Sequence, residues 1–175
     1  MNVVLRAIKR RRSIRKFKPD MPDKKDLEAI MDAGLYAASG SNKQDVITIC
    51  ITNKELREKF VKANREIGGY GEDVDPFYGA PVIMVVLSDK DCKNHVYDGS
   101  LVMANLMLAA HSLDLGSLWV NRAKEEFELD EFKQILKDLG IEGNWEGIGH
   151  CAIGYMDCEL PDALPRKENR LYYID

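Results

Sequence analysis

A cluster of cationic side chains near the N-terminus has the residue types that bind an anion. Residues 9–18 carry seven of the 25 Lys and Arg residues, in a chain with 29 Asp and Glu residues and a net charge of −4. Positive charge concentrated on an acidic protein favours one specific anion over general polyanion binding. Arg11 and Arg12 can each donate two parallel hydrogen bonds to a phosphate, and Ser13 adds a hydroxyl donor. Arg11, Ser13 and Arg15 alternate by two, so an extended backbone would direct them to one side.

Composition alone leaves two other interpretations of this cluster open. It could be a solvated charged face, or a weak patch for nucleic acid or lipid. A second cationic pair, Arg166 and Lys167, follows Pro165 in the C-terminal segment.

The polar loop Ser39–Gln44 offers backbone N–H groups, hydroxyls and carboxamides. These are the donors and acceptors that a sugar-alcohol chain and a pyrimidine edge need. Loops that end helices often have this composition, so the signal is weak by itself.

Length and composition indicate one ordinary domain over residues 1–175, with 45% hydrophobic residues. The acidic balance argues against broad nucleic-acid binding. No apolar run resembles a signal peptide or a membrane span, so we expect a cytoplasmic protein. Three histidines and four cysteines show no metal-ligand spacing, so we expect no metal site. Cys50 and Cys151 lie in apolar runs and are predicted to be small buried hydrophobes.

The apolar spacing predicts helices over 2–11, from about 23 to 38, over 54–67, over 95–115 and over 129–139. The helix over 95–115 is apolar nearly all round, which is typical of a core or a subunit interface. Gly116 is predicted to cap it. Strands are predicted over 46–51, 82–87, 117–121 and 150–155, the second buried on both faces. The fold class is therefore α+β, with several helices around one sheet. The segment 68–76 is predicted to be irregular and mobile.

The order of these segments resembles the FMN-dependent nitroreductase family over most of the chain. The resemblance is carried by the following motifs: Arg11-Arg12-Ser13-Ile14-Arg15-Lys16-Phe17, Ala38-Ser39-Gly40-Ser41-Asn42-Lys43-Gln44, Gly79-Ala80-Pro81, Asn105-Leu106-Met107-Leu108-Ala109-Ala110-His111, Leu115-Gly116-Ser117-Leu118-Trp119, Ala152-Ile153-Gly154-Tyr155 and Pro165-Arg166-Lys167. Each motif is unspecific, but the ordered set is hard to obtain by chance.

The resemblance implies a mixed or antiparallel sheet flanked by helices, in an intertwined homodimer with FMN at the subunit interface. By position, the FMN phosphate would be held by Arg11, Arg12, Ser13, Arg166 and Lys167. Arg15 would reach the pyrimidine edge of the flavin. Other cofactor contacts would come from Ser39, Gly40, Asn42 and Gln44 in the partner's loop, and from Asn121 and Arg122, whose backbone amides would face the flavin N5. The helix over 101–115 would be the main dimer helix.

The activity implied is reduction of nitroaromatic, quinone or similar electron-poor acceptors by NADH or NADPH, with hydride passing through flavin N5 by a ping-pong scheme. No catalytic side chain is required, and Asp98 is interpreted as a helix-start residue. Tyr70, Phe77 and Tyr78 could line the substrate face. Alternatives are a flavin-binding sensor or storage protein without turnover, and a specialised flavin reaction such as dehalogenation or flavin fragmentation.

The chain departs from the family pattern at three places. Asp45-Val46 follows Gln44 where Pro-Trp is frequent, Arg122 stands where many members have a small residue, and the segment 68–78 is short. These differences leave the acceptor range and the choice between NADH and NADPH open.

Overall fold

The computed structural model describes all residues from Met1 to Asp175. It contains a four-stranded antiparallel sheet with strand order β1-β2-β4-β3. The strands are β1 Val46–Ile51, β2 Val82–Asp89, β3 Leu115–Val120 and β4 Trp145–Tyr155. The helices are α1 Val3–Arg10, α2 Lys24–Leu35, α3 Lys54–Gly68, α4 His95–Ser112, α5 Ala123–Glu126 and α6 Asp130–Asp138, with a 3-10 turn at Gly40–Asn42. The predicted α+β class is confirmed.

Strand β2 lies at the centre of the fold, as its unbroken run of apolar residues predicts. Every residue from Val82 to Leu87 is 0% exposed. Its side chains alternate between two apolar clusters: Ile83, Val85 and Leu87 face α3, α5 and α6, whereas Val82, Met84 and Val86 face α2 and α4. The sheet is therefore covered on both faces, and its ends position the loops described below.

Strand β4 begins at Trp145, five residues before the predicted start at His150. Glycines are typical of loops in a sequence, but Gly147 and Gly149 lie inside the strand, where close contacts leave no room for a side chain. A Cβ at Gly147 would collide with the Ala123 backbone, and one at Gly149 would lie 2.6 Å from the Trp119 indole nitrogen. These glycines let α5 and the β3 side chains pack closely on the sheet.

The predicted cap at Gly116 is wrong. Helix α4 ends at Ser112, and Asp114 makes the turn with a left-handed φ of 57°. Gly116 lies inside β3, where a Cβ would be 3.0 Å from Ile14. The short helix α5 also differs from prediction, because four residues are too few to show a helical period.

Helix α4 has one buried face and one face that this chain leaves uncovered. Val102, Met103, Leu106 and Ala110 are buried against the sheet and α2, whereas Leu101 is 46% exposed. None of the helices combines the length and the apolar character needed to cross a membrane. Cys151 is buried and Cys50 half-buried, and burial raises the pKa of the Cys50 thiol to about 11.

Candidate functional site

The cationic segment leaves α1 as extended backbone and runs alongside β3. Arg11 ends the helix with ψ 132°, and Ser13 forms a parallel bridge with Ser117. The Ile14 N–H donates to the Ser117 carbonyl at 3.1 Å, and the Ile14 side chain is 1% exposed. Ile14 faces the core, Arg11 and Ser13 on the same segment are half-buried, and Arg15 is exposed.

Two guanidinium groups of this segment have buried nitrogen atoms without hydrogen-bond acceptors. They are Arg11 Nη1 and Arg12 Nε. Arg12 Nη1 donates to the backbone carbonyls of Lys9 and Arg11 at 2.7 and 2.8 Å, which fixes its plane. Burial and the charge of Arg12 lower the pKa of Arg11. Buried donors of one charge sign without partners are the arrangement that a phosphate would satisfy, so these residues fit an FMN phosphate.

A cleft of about 270 Å³ lies beyond Arg15, at the end of β3. It is lined by Arg15, Tyr70, Val74, Asp75, Pro76, Tyr78, Leu118, Trp119, Val120, Asn121 and Arg122. The Arg122 guanidinium lies 5.0 Å from the Tyr70 ring centre and donates to the Tyr70 hydroxyl at 3.2 Å. Arg15 lies 6.0 Å from the Tyr78 ring centre. The structure therefore brings three of the predicted site residues, Arg15, Asn121 and Arg122, to one cleft.

The irregular segment between α3 and β2 is predicted to be mobile, but hydrogen bonds to Arg57 hold it. Buried Arg57 donates from Nε to the Ala80 carbonyl at 2.6 Å and from Nη2 to Asp75 at 2.5 Å. The Asp75 carboxylate also accepts from the Phe77 and Gly79 backbone N–H groups at 2.8 and 2.9 Å. Phe77 is 0% exposed and so does not line the cleft, in contrast to Tyr70 and Tyr78.

The Ser39–Gln44 loop forms a compact turn around its own polar groups. Ser39 Oγ accepts from the Gln44 N–H at 3.0 Å, and Gln44 Nε2 donates to Asn42 Oδ1 at 3.3 Å. Ser41, Asn42 and Gln44 all have φ near 54°. Asp98, in the first turn of α4, holds the loop by accepting the Gly40 N–H at 3.0 Å. Asp98 is 5% exposed, so it anchors the loop besides starting the helix.

Replacing Asp98 with alanine should weaken FMN binding about tenfold, because the loop loses the one buried acceptor that orients the Gly40 amide. Asp98→Asn keeps an oxygen acceptor of the same shape, so its dissociation constant should stay within about threefold of wild type. Quenching of FMN fluorescence measures both constants. Equal losses in the two variants would show that the charge, and not the anchor, matters.

The loop and the arginine cluster lie at opposite ends of α4. The loop contacts Asp98 at the start of the helix. Near its end, burial and then the nearby charges of Arg10 and Arg11 lower the pKa of His111. Asp98 and His111 are about 20 Å apart along the axis of this helix. In one chain, the loop and the arginine cluster are therefore well separated.

Arg166 and Lys167 belong to an exposed C-terminal segment, and Arg166 donates to the Leu164 carbonyl at 2.6 Å. Apolar side chains of this segment are largely in solvent: Leu164 is 77% exposed and Ile174 fully exposed. Of the anchoring residues described here, Arg57, Asp75 and Asp98 were not predicted as site residues, because no local motif marks a contact across 18 or 58 positions.

Comparisons with known proteins point to one family. A model of the nitroreductase family matches residues 8–155. A protein of Methanothermobacter thermautotrophicus named "Putative NADH dehydrogenase/NAD(P)H nitroreductase" is 35% identical over 120 residues, which cover 66% of this chain and 59% of that relative. The match thus spans less than two thirds of that relative's length.

Solved structures have the same fold over their full length. A nitroreductase from Bacteroides fragilis crystallised with bound FMN superposes with a TM-score of 0.90 at 26% identity, covering 100% of both chains. A nitroreductase from Desulfitobacterium hafniense, also with bound FMN, has a TM-score of 0.87 at 26% identity and the same coverage.

Proposed function

The chain belongs to the nitroreductase family, and from this premise we propose that it is an FMN-dependent oxidoreductase. It takes electrons from NADH or NADPH and reduces electron-poor acceptors such as nitroaromatic or quinone compounds. The observation that carries the proposal is the pair of buried guanidinium nitrogens of Arg11 and Arg12, which have no acceptor within the chain and which an anion would satisfy. Relatives with the same fold that hold FMN support its identity.

The proposed cofactor contacts follow the positions of the residues. Arg11, Arg12 and Ser13 bind the phosphate, and Arg15 places positive charge near the pyrimidine edge, where it stabilises an anionic reduced ring. Asn121 and Arg122 present backbone amides to the ring from the end of β3. The partner subunit supplies Ser39, Gly40, Asn42 and Gln44, and the C-terminal Arg166 and Lys167 add positive charge near the phosphate.

A homodimer is the proposed functional unit, because one chain holds the two halves of the site at opposite ends of α4. Two α4 helices packed antiparallel about a two-fold axis place the loop of one chain beside the arginine cluster of the other. The uncovered apolar side chains support this packing: Val3 is 76% exposed on α1, and Leu101 is 46% exposed on α4. The cleft of about 270 Å³ is also smaller than ordinary cofactor pockets, which begin at roughly 300 Å³.

Light scattering on the eluting protein should therefore give about twice the chain mass of 19.8 kDa. A single-chain mass at micromolar concentration, with FMN bound, would contradict the shared site.

When bound, FMN supplies hydride transfer through its N5, so the protein needs no acid or nucleophile of its own. The side chains of the cleft act by binding and by limiting access: Tyr70 and Tyr78 form its walls, and Arg122 adds a cation at its mouth. Anchoring by Arg57 and Asp75 keeps these walls in place.

The experiment is anaerobic reduction of the FMN-loaded protein by NADH and by NADPH, followed by a nitroaromatic or quinone compound. Bleaching of the flavin bands by one nicotinamide, and their return with the acceptor, are expected. Bound flavin that neither nicotinamide bleaches would contradict the oxidoreductase and favour the sensor or storage alternative.

A further inference from the structure

We propose that Asn64, Glu126 and His150 are positioning residues that hold the Asn121–Arg122 peptide with its N–H turned into the cleft. The inference rests on the proposed function in one respect: the flavin ring is the group that this N–H would meet. The three side chains are each 0% exposed and belong to α3, α5 and β4. They form one connected hydrogen-bond network beneath the cleft.

Asn64 is the member that touches the peptide. Its Nδ2 donates to the Asn121 carbonyl at 2.8 Å and to Glu126 Oε1 at 2.8 Å. Because both partner atoms are acceptors, both Nδ2 hydrogens are used and the amide nitrogen must face them, whereas the buried Asn64 Oδ1 has no partner. The contact ties α3 to a turn 57 residues further along the chain.

Glu126 and His150 complete the network below Asn64. Glu126 Oε2 lies 2.7 Å from His150 Nε2, and His150 Nδ1 lies 3.3 Å from the Val120 carbonyl. One hydrogen bond therefore joins His150 Nε2 and Glu126 Oε2, so each of these two buried side chains has a polar partner. Phe60 and Phe77 pack edge-on against the His150 ring, at 5.7 and 5.2 Å.

The network of Asn64, Glu126 and His150 acts as a clamp on the Asn121–Arg122 peptide. This clamp sets the orientation of the Arg122 N–H. The chain has no cis peptide bond, and in a trans peptide the N–H and the C=O point in opposite directions. With the Asn121 carbonyl fixed toward the interior, the Arg122 N–H points toward the cleft that both residues line. It donates to no backbone or side-chain acceptor of the chain.

Arg122 itself is held in an unfavourable conformation. Its φ is 81°, in the left-handed region that a long side chain seldom adopts. Such a conformation persists only where the surroundings over-determine it. Hydrogen bonds on both sides do so here: Asn64 holds the preceding carbonyl, and the Arg122 carbonyl accepts the Glu126 N–H at 3.0 Å. The result is a donor fixed before any ligand arrives, which is how an amide binds a ring nitrogen most effectively.

The test compares three variants by amide exchange in the FMN-free protein and by FMN affinity. Asn64→Leu has similar volume but no donor, so the Glu126 and Phe127 amides, whose acceptors are the Arg122 and Ala123 carbonyls, should exchange about tenfold faster. FMN binding should weaken about tenfold. Glu126→Gln can donate to His150 and accept from Asn64, so both quantities should stay within about twofold of wild type.

Val61→Ala is the matched control, because Val61 is a buried residue of the same helix that has no part in the network. If Asn64→Leu resembles Val61→Ala in exchange and in FMN affinity, the clamp is overturned. If the Glu126 and Phe127 amides exchange faster in Asn64→Leu but the wild-type protein itself does not bind FMN, the clamp is supported and the proposed function is wrong. If the Glu126 and Phe127 amides exchange at the wild-type rate in every variant while FMN binds normally, the clamp is wrong and the proposed function is unaffected.

A measurement on the wild-type protein covers the case in which Asn64→Leu does not fold. In selectively labelled protein, the Asn64 side-chain amide protons should exchange at least about tenfold more slowly than those of exposed Asn42. Equal rates would show that the Asn64 amide is not held, and the proposal would be wrong.

Discussion

Replacing Arg11 with methionine is expected to weaken FMN binding about 100-fold without lowering the free energy of unfolding of the FMN-free protein. The two effects have one cause. The Arg11 guanidinium is partly buried, faces Arg12, and has an unpartnered Nη1. It therefore contributes to the fold little beyond its apolar stem, which methionine replaces.

The loss of affinity follows from the phosphate contact. Each hydrogen bond to a charged group contributes about 1.5–3 kcal/mol, and an arginine can make two to one phosphate. Loss of both corresponds to at least about 100-fold in the dissociation constant. FMN fluorescence quenching and urea unfolding measure the two quantities on the same preparations.

Lys18→Ala is the matched control for charge. Lys18 belongs to the same cationic segment but is exposed, so its removal should change FMN affinity less than about threefold. If Arg11→Met and Lys18→Ala weaken binding equally, the cluster acts only as a diffuse positive field. That result would favour the interpretation of residues 9–18 as a solvated charged face.

Replacing Arg57 with alanine should lower the free energy of unfolding by about 2–4 kcal/mol. Arg57 is 8% exposed and connects α3 to the Ala80 carbonyl and to Asp75. Its loss leaves a buried carbonyl without a donor and the Asp75 carboxylate without its cation. Because the Asp75 side chain keeps 30% exposure, solvent compensates in part, and the effect lies below that of a fully buried pair.

The same substitution should release the segment 71–79 that forms one wall of the cleft. Amide exchange at Phe77 and Gly79, which donate to Asp75, should accelerate more than exchange in β2. Lys62→Ala removes an exposed pair with Glu66 from the same helix and should change stability by less than about 0.5 kcal/mol. An Arg57→Ala variant as stable as Lys62→Ala would contradict the anchoring role.

How far the sequence predicts this fold depends on whether the signal is local. The apolar run over 82–87 identifies β2, because continuous burial leaves a continuous pattern. The run over 46–51 identifies β1 by its β-branched residues, although only Ile51 is buried there. The start of β4 could not be predicted, since Gly147 and Gly149 are required by close contacts with Ala123 and Trp119. Glycine in a strand reports a neighbour that is distant in sequence.

The same distinction between local and distant signals applies to the residues of the candidate site. Arg11, Ser13 and Arg15 are predicted as site residues because their types and spacing within five residues suit an anion, and their contact with one stays a prediction. Asn64 could not, since its role depends on a carbonyl 57 positions away. Nor does the sequence indicate that the Ser39–Gln44 loop and the arginines lie at opposite ends of α4, which is the observation behind the proposed homodimer.

The most direct test of the central claim is an absorption spectrum of the purified protein, recorded after incubation with FMN and gel filtration. Flavin bands that elute with the protein, at about one FMN per chain, are the predicted result. Protein that elutes free of flavin, at FMN concentrations well above micromolar, would contradict the proposed function.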